Sequence, residues 1–393
     1  MVAIGRMHLL KNKITLPLFL LFSSQLITRA ASAAITPVFP IYMRSLGFAI
    51  ADLGIVSASL GVALIIFEPM WGYLINKLGA KKIFLISNLL TALILFSYTL
   101  AKDLTGFVFL RFLTGVFGSA SGVSMRTLMW QAIPRKEKAF GTWYAISAAG
   151  GVIGPVIGGI VASESYVLVF YVSTMIAVIA FFLSFGSPDS KNAGPTSVDS
   201  SFKGMNRSEK RVLLVTSFLI IIPYFLRTVY LTYVPVFANE SAKFLLDPFE
   251  IGIAVAAMGI AGFFAPFVYS RLFSKAETKI IILGMGLEVF SFLLLPAITG
   301  FPTLCFTAVL LGLGEAAISP CIMAFLIDNI RFSNRGLAIG VYGAGEDVGI
   351  LIGPLAMGFL YQDYGAEFSF YVTAALMLAN TVVSMHLLRE AAQ

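Results

Sequence analysis

GGVIGPVIGG, at residues 150–159, and GILIGPLAMG, at residues 349–358, are one pattern written twice in the chain, 199 residues apart. The same register continues beyond these stretches. Gly141 falls on Gly340 at that offset, and at an offset of 198 Arg29 falls on Arg227, Pro37-Val38-Phe39 on Pro235-Val236-Phe237, Gly54 on Gly252 and Gly61 on Gly259. Matches kept in one register over well separated segments are those of an internal repeat. A chain built as two parallel repeats is suited to form a site where the repeats meet and to rock one repeat against the other.

The segments that carry the repeat are apolar. The chain has 393 residues, of which 58% are hydrophobic and 12% charged, and its mean hydropathy is +0.91; soluble domains carry about 25% charged residues. A helix crossing the hydrocarbon core needs roughly 20 apolar residues. Such runs occur at 15–41, 49–75, 82–101, 105–130, 139–162, 166–186, 211–237, 250–273, 279–299, 302–328, 336–360 and 367–388. The expected fold is an all-α membrane protein of twelve transmembrane helices in two pseudo-symmetric six-helix bundles, 1–186 and 211–393. The polar stretch 187–210 joins them as a linker. Cys305 and Cys321 share one span, about 24 Å apart at 1.5 Å per residue, too far for a disulfide.

Charge fixes an orientation. Twenty of the 27 Lys and Arg residues fall on the side of the N-terminus, among them Lys77, Lys81, Lys82, Arg207, Arg331 and Arg335, while Arg44, Lys102 and Lys243 fall on the other. The positive-inside rule then places both termini in the cytoplasm and the protein in the inner or plasma membrane. The net charge of +7 is spread through short loops, with no basic stripe to suggest nucleic acid. Phosphate-binding loops, metal-ligand clusters and nucleophile triads are absent from the sequence, so no cofactor, metal or enzymatic reaction is expected.

Three motifs resemble the major facilitator superfamily. Gly141, Gly150, Gly154, Pro155, Gly158 and Gly159 in the fifth span are similar to the antiporter signature of its drug:proton branch. Small residues there allow close helix approach, and Pro155 permits a bend; Gly353 and Pro354 repeat the feature in the second half. Gly72, Asn76, Lys77 and Gly79 resemble the cytoplasmic loop motif after the second helix. In this chain Asn76 replaces the usual Asp, removing the charge of the ordinary latch at the inner gate. Arg111, Gly115 and Gly118 resemble the fourth-helix motif linked in the family to proton coupling, with a structural salt bridge as the competing role of Arg111. The resemblance implies alternating access, with spans 1, 4, 7 and 10 around a central cavity and spans 2, 5, 8 and 11 as gates, in a monomer.

A charged residue inside the membrane usually faces a cavity and a partner. Arg29 and Arg227 occupy equivalent places in the halves. Gln25 and Ser32 share a helix face with Arg29, and Tyr224 and Tyr230 flank Arg227 along one side. The two arginines either bind an anionic substrate group, as similar pairs do in the superfamily's organic-phosphate exchangers, or are neutralised by intramembrane acids. Glu68, Glu288, Glu315, Glu346 and Asp347 are the acids within reach. Adjacent carboxyls removed from water resist ionising together, so Glu346 and Asp347 are expected either to hold a coupling proton or to form an ion pair with the first-half helices, with Glu315 a further proton carrier beside the substrate. The expected activity is secondary active transport of a small organic solute, as proton-coupled drug efflux, as organic-anion exchange or symport through Arg29 and Arg227, or, third, a transport-inactive receptor on the same fold.

Overall fold

The computed structural model describes residues 16–133, 136–189, 204–241, 244–272, 277–331 and 334–391. Lys11 and Lys13, much of the linker (190–203) and Lys243 lie outside the described residues. Twelve helical spans follow one another: α1 (Leu16–Ala34 and Val38–Ser45), α2 (Ile50–Leu78), α3 (Ala80–Ser97), α4 (Leu104–Ala132), α5 (Lys136–Ala162), α6 (Tyr166–Ser184), α7 (Arg207–Leu219 and Ile221–Glu240), α8 (Pro248–Leu272), α9 (Glu277–Leu294), α10 (Phe301–Asp328), α11 (Arg335–Tyr364) and α12 (Ala366–Ala391). Each has an apolar window long enough to cross a bilayer. Many large apolar side chains, such as Ile66, Phe109, Met175, Phe182 and Phe264, face outward, as a lipid-facing surface requires.

Interruptions follow the local sequence. Pro37 has no N–H, so α1 breaks before it, and Thr36 N–H closes a turn on the Ala33 carbonyl at 3.1 Å. In α7, Pro223 cannot bond to the Leu219 carbonyl; Asn380 of α12 donates to that oxygen instead, at 3.2 Å. Gly79 ends α2 with φ +86°, a conformation that other residues resist, and turns the chain directly into α3.

Helix neighbours repeat between the halves. α1 packs on α5 and α6, α2 on α4, and α3 on α4 and α6; α7 packs on α11, α8 on α10, and α9 on α10 and α12. These are two six-helix bundles of the same plan, joined along α2 with α11 and α5 with α8.

That seam is closed at one end. Near the α1–α2 and α11–α12 turns, a Cβ on Gly61 would collide with Leu351, and one on Gly54 would collide with the Pro354 carbonyl. There the Gln362 side chain accepts from Ala51 N–H at 3.1 Å, and Arg44 binds both oxygens of Glu240 at 2.7 and 3.2 Å. Gly159 of α5 lies backbone to backbone with Gly252 of α8. Toward the opposite end, positions 72 on α2 and 336, 340 and 343 on α11 have nothing within 4 Å of where a Cβ would stand. The cleft between the halves therefore opens toward the end that carries the α2–α3 and α10–α11 turns.

Candidate substrate and proton site

Arg29 lies mid-bundle on α1, yet its side chain is exposed. In a helix packed on α5 and α6 this accessibility belongs to the cleft. Its backbone is held by the small-residue run of α5: a Cβ on Gly150 would strike the Arg29 Cβ at 2.6 Å, and one on Gly154 would strike Ala33 at 2.7 Å. Gly150, Gly154 and Gly158 thus seat α5 against α1 within one half, while Gly159 makes the contact across the seam. In the second half a Cβ on Gly349 would strike the Tyr224 Cβ at 2.9 Å and one on Gly353 would strike Thr228 Oγ1 at 2.9 Å, so these glycines seat α11 on α7.

The two arginines differ in their partners. Arg227 forms an ion pair with Glu315 of α10 at 3.0 Å, and its guanidinium lies over the Tyr224 ring, 5.9 Å from the centroid. Arg29 lies within electrostatic reach of Arg227, and among the described residues no acidic group pairs with it. Of the two arrangements weighed from the sequence, neutralisation by an intramembrane acid is seen at Arg227, whereas Arg29 has no acidic partner among the described residues.

From Arg227 the polar surface continues toward the open end. Tyr224 lies within electrostatic reach of Glu346, and Glu346 and Asp347 on α11 lie within electrostatic reach of Glu68 on α2 and Arg126 on α4. Arg126 binds Glu68 directly and also covers the Trp143 ring at 5.4 Å. Arg29, Arg227, Tyr224, Glu315, Glu346 and Glu68 are thus brought along one cleft, with Asp347 buried next to Glu346.

Other residues singled out from the sequence stand elsewhere. Gln25 is 2% exposed with its Oε1 unbonded. Tyr230 is enclosed, with its hydroxyl 3.3 Å from Thr307. Ser32 is half-buried on α1. Arg111 has no acidic partner among the described residues; it covers the Phe39 ring at 5.3 Å and lies within electrostatic reach of Tyr98, whose hydroxyl is 2.9 Å from Thr114. Asn76 and Lys77 are exposed, and Lys77 lies over Tyr73 at 4.6 Å. The helix around Gly141 is described, but its side-chain surroundings lie outside the described residues.

Two polar clusters escaped the sequence reading. Glu209, 2% exposed, accepts from the Arg331 backbone N–H at 2.9 Å, from its Nε at 3.0 Å and from its Nη2 at 2.8 Å. It also closes a capping box with Asn206. The Asn206-x-x-Glu209 spacing announces the cap, but nothing local announces Arg331. Asn88 of α3 joins Ser24, Thr28 and Ser121 across three helices, a knot of hydroxyls and an amide of the kind that holds membrane helices together.

A twelve-helix, two-bundle fold with a charged midplane cleft defines a membrane transporter of small molecules. The family model of the Major Facilitator Superfamily matches residues 21–277 and 241–393, and the chain belongs to that superfamily of transporters, not to an enzyme family. It is 25% identical over 376 residues to the quinolone resistance protein NorA of Staphylococcus aureus, covering 93% of this chain and 95% of that one. It is 28% identical over 388 residues to the multidrug resistance protein MdtG of Proteus mirabilis, covering 93% and 94%. The crystal structure of a mutant of the nucleoside transporter NupG superposes with a TM-score of 0.80 at 15% identity, covering 95% of this chain and 100% of that one, a likeness of fold. The protein is a multi-pass plasma-membrane protein.

Proposed function

We propose that this transporter moves amphipathic organic compounds by alternating access, exporting them in exchange for protons. The observation that carries the reading is the cleft itself: it is closed at one end and open at the other, and carboxyls from both halves line it beside an ion-paired arginine. The resistance proteins with which the chain shares a quarter of its residues support efflux. With the positive-inside orientation, both termini and the open end face the cytoplasm and the structure is inward-open. On this reading residues 1–186 and 211–393 are the rocking units, 187–210 is their cytoplasmic link, and the monomer suffices. Glu346, Asp347, Glu315 and Glu68 carry protons, and the glycine runs of α5 and α11 keep each half stiff while Gly159 contacts α8 across the seam.

A second reading, organic-anion transport, is favoured by one observation: Arg29 is exposed in the cleft with no acid beside it among the described residues. A guanidinium so placed suits a carboxylate or phosphate. Protein reconstituted in liposomes with an internal pH dye distinguishes the two. Lipophilic cations should drive proton movement under the first reading and organic anions under the second; silence to both classes would contradict proton-coupled transport.

A further inference from the structure

Glu288 lies on α9, outside the helices that line the cleft, and is 1% exposed with its Oε2 unbonded. Its seat is built. α9 and α10 touch through glycines: a Cβ on Gly284 would strike Gly314 O at 2.8 Å and Ala317 Cβ at 2.7 Å, and one on Gly314 would strike the Glu288 Cγ at 2.6 Å. The glutamate stem therefore lies in a slot opened by Gly314, next in sequence to Glu315. Glu315 is the charged group within electrostatic reach of Glu288, and behind it stands Arg227. The other charges of α9, Glu277 and Lys279, are near its start, and those of α12 (Glu367, His386, Arg389 and Glu390) are near its ends. Enclosed with an unbonded oxygen and a like-charged neighbour, the carboxylate form is far costlier than the neutral acid, unless the charge is balanced through Glu315 and Arg227.

We propose that Glu288 is a proton-exchanging group of this transporter, loaded and unloaded through Glu315, so that its proton changes the charge around the paired arginines by one unit. In unloading, Glu315 is the port. Its carboxylate takes the proton from the Glu288 O–H and passes it to water in the cleft, leaving the negative charge on Glu288. With the proton aboard, Arg29, Arg227, Glu315 and Glu288 together carry one positive charge; with it gone they are neutral. The sign of coupling then follows from the cargo, because binding and protonation are linked reciprocally. An organic cation is favoured when the proton has left, which is exchange, and an organic anion when the proton is bound, which is co-transport. The inference rests on the proton-coupled reading above and extends it to a helix that does not line the cleft.

Infrared spectroscopy of the purified full-length protein tests it without requiring transport. One component of the carboxylic C=O absorption should be present at low pH, diminish as pH rises, and be missing from the Glu288→Gln spectrum, where the amide keeps the shape of the neutral acid. A Glu288-dependent band that is absent, or unchanged over the whole pH range in which the protein stays folded, overturns the proposal. Binding of tetraphenylphosphonium to the same samples should strengthen with pH by up to about tenfold per unit, the limit for one linked proton, and Glu288→Gln should flatten that slope. An unaltered slope in the variant overturns the proposal. A titrating band without proton movement in liposomes would instead contradict the proton-coupled reading and leave Glu288 as a proton site.

Discussion

Arg29 and Arg227 occupy matching places in a repeated sequence, on the first helix of each half, but their surroundings are not repeated. Arg227 has Glu315 at 3.0 Å and lies over Tyr224. Arg29 has the backbone of α5 against its stem and open cleft around its head. The halves share a scaffold and differ in their charges: the second pairs its cation with its own acid, and the first leaves its cation facing the cleft. Repeats built for rocking need the same helix packing, which the glycine runs supply twice, whereas a site at their meeting plane has no reason to be symmetric.

Removing the acid should erase the difference. Glu315→Gln deprives Arg227 of its ion-pair partner, and because the pair is partly exposed its loss should cost about 1–3 kcal/mol, less than the roughly 3–5 kcal/mol of a fully buried pair. Thermal unfolding in detergent should show the loss, and binding of organic anions should tighten; weaker anion binding would mean that Arg227 is not the restrained partner. Arg29→Lys keeps the charge but loses the planar fork, so anion affinity should fall by about tenfold, roughly the 1.4 kcal/mol of one good charge-assisted contact. An unchanged affinity by titration calorimetry would reduce Arg29 to a point charge. The smallest effect is expected at the closed end, where Arg44→Ala removes an ion pair that bridges the halves but is partly exposed to solvent. Exposed pairs contribute about 0–1 kcal/mol. The variant should shift the population modestly toward the outward-open state, seen as faster labelling of a cysteine placed at the closed end, and slower labelling would contradict its role as a latch.

Much of this is legible in the sequence. Twelve apolar runs and the offset of 198 to 199 specify two six-helix bundles because the bilayer admits so few alternatives to helices. The α5 glycines point to close packing, though their nearest surface, α1 for Gly150, Gly154 and Gly158 but α8 for Gly159, depends on which face each presents. The polar stripe of α1 reads as one unit, but Gln25 turns into the packing while Arg29 reaches the cleft. Tyr230 sits i+3 from Arg227 and still ends against Thr307, because a helix face three residues wide spans both cavity and core. For Arg111 the motif suggests a proton relay or a salt bridge, whereas the side chain lies among Phe39 and Tyr98. The pairing of Glu209 with Arg331, 122 residues on, has no local signature, since it depends on which turns meet at one end of a bundle.

The most direct measurement is equilibrium binding of an organic-anion panel to the purified wild-type protein, Arg29→Ala and Arg227→Ala side by side. The account predicts that Arg29→Ala abolishes anion binding while Arg227→Ala retains it with reduced stability. Equal losses in both variants, or binding undiminished in Arg29→Ala, would contradict the division of labour between the halves.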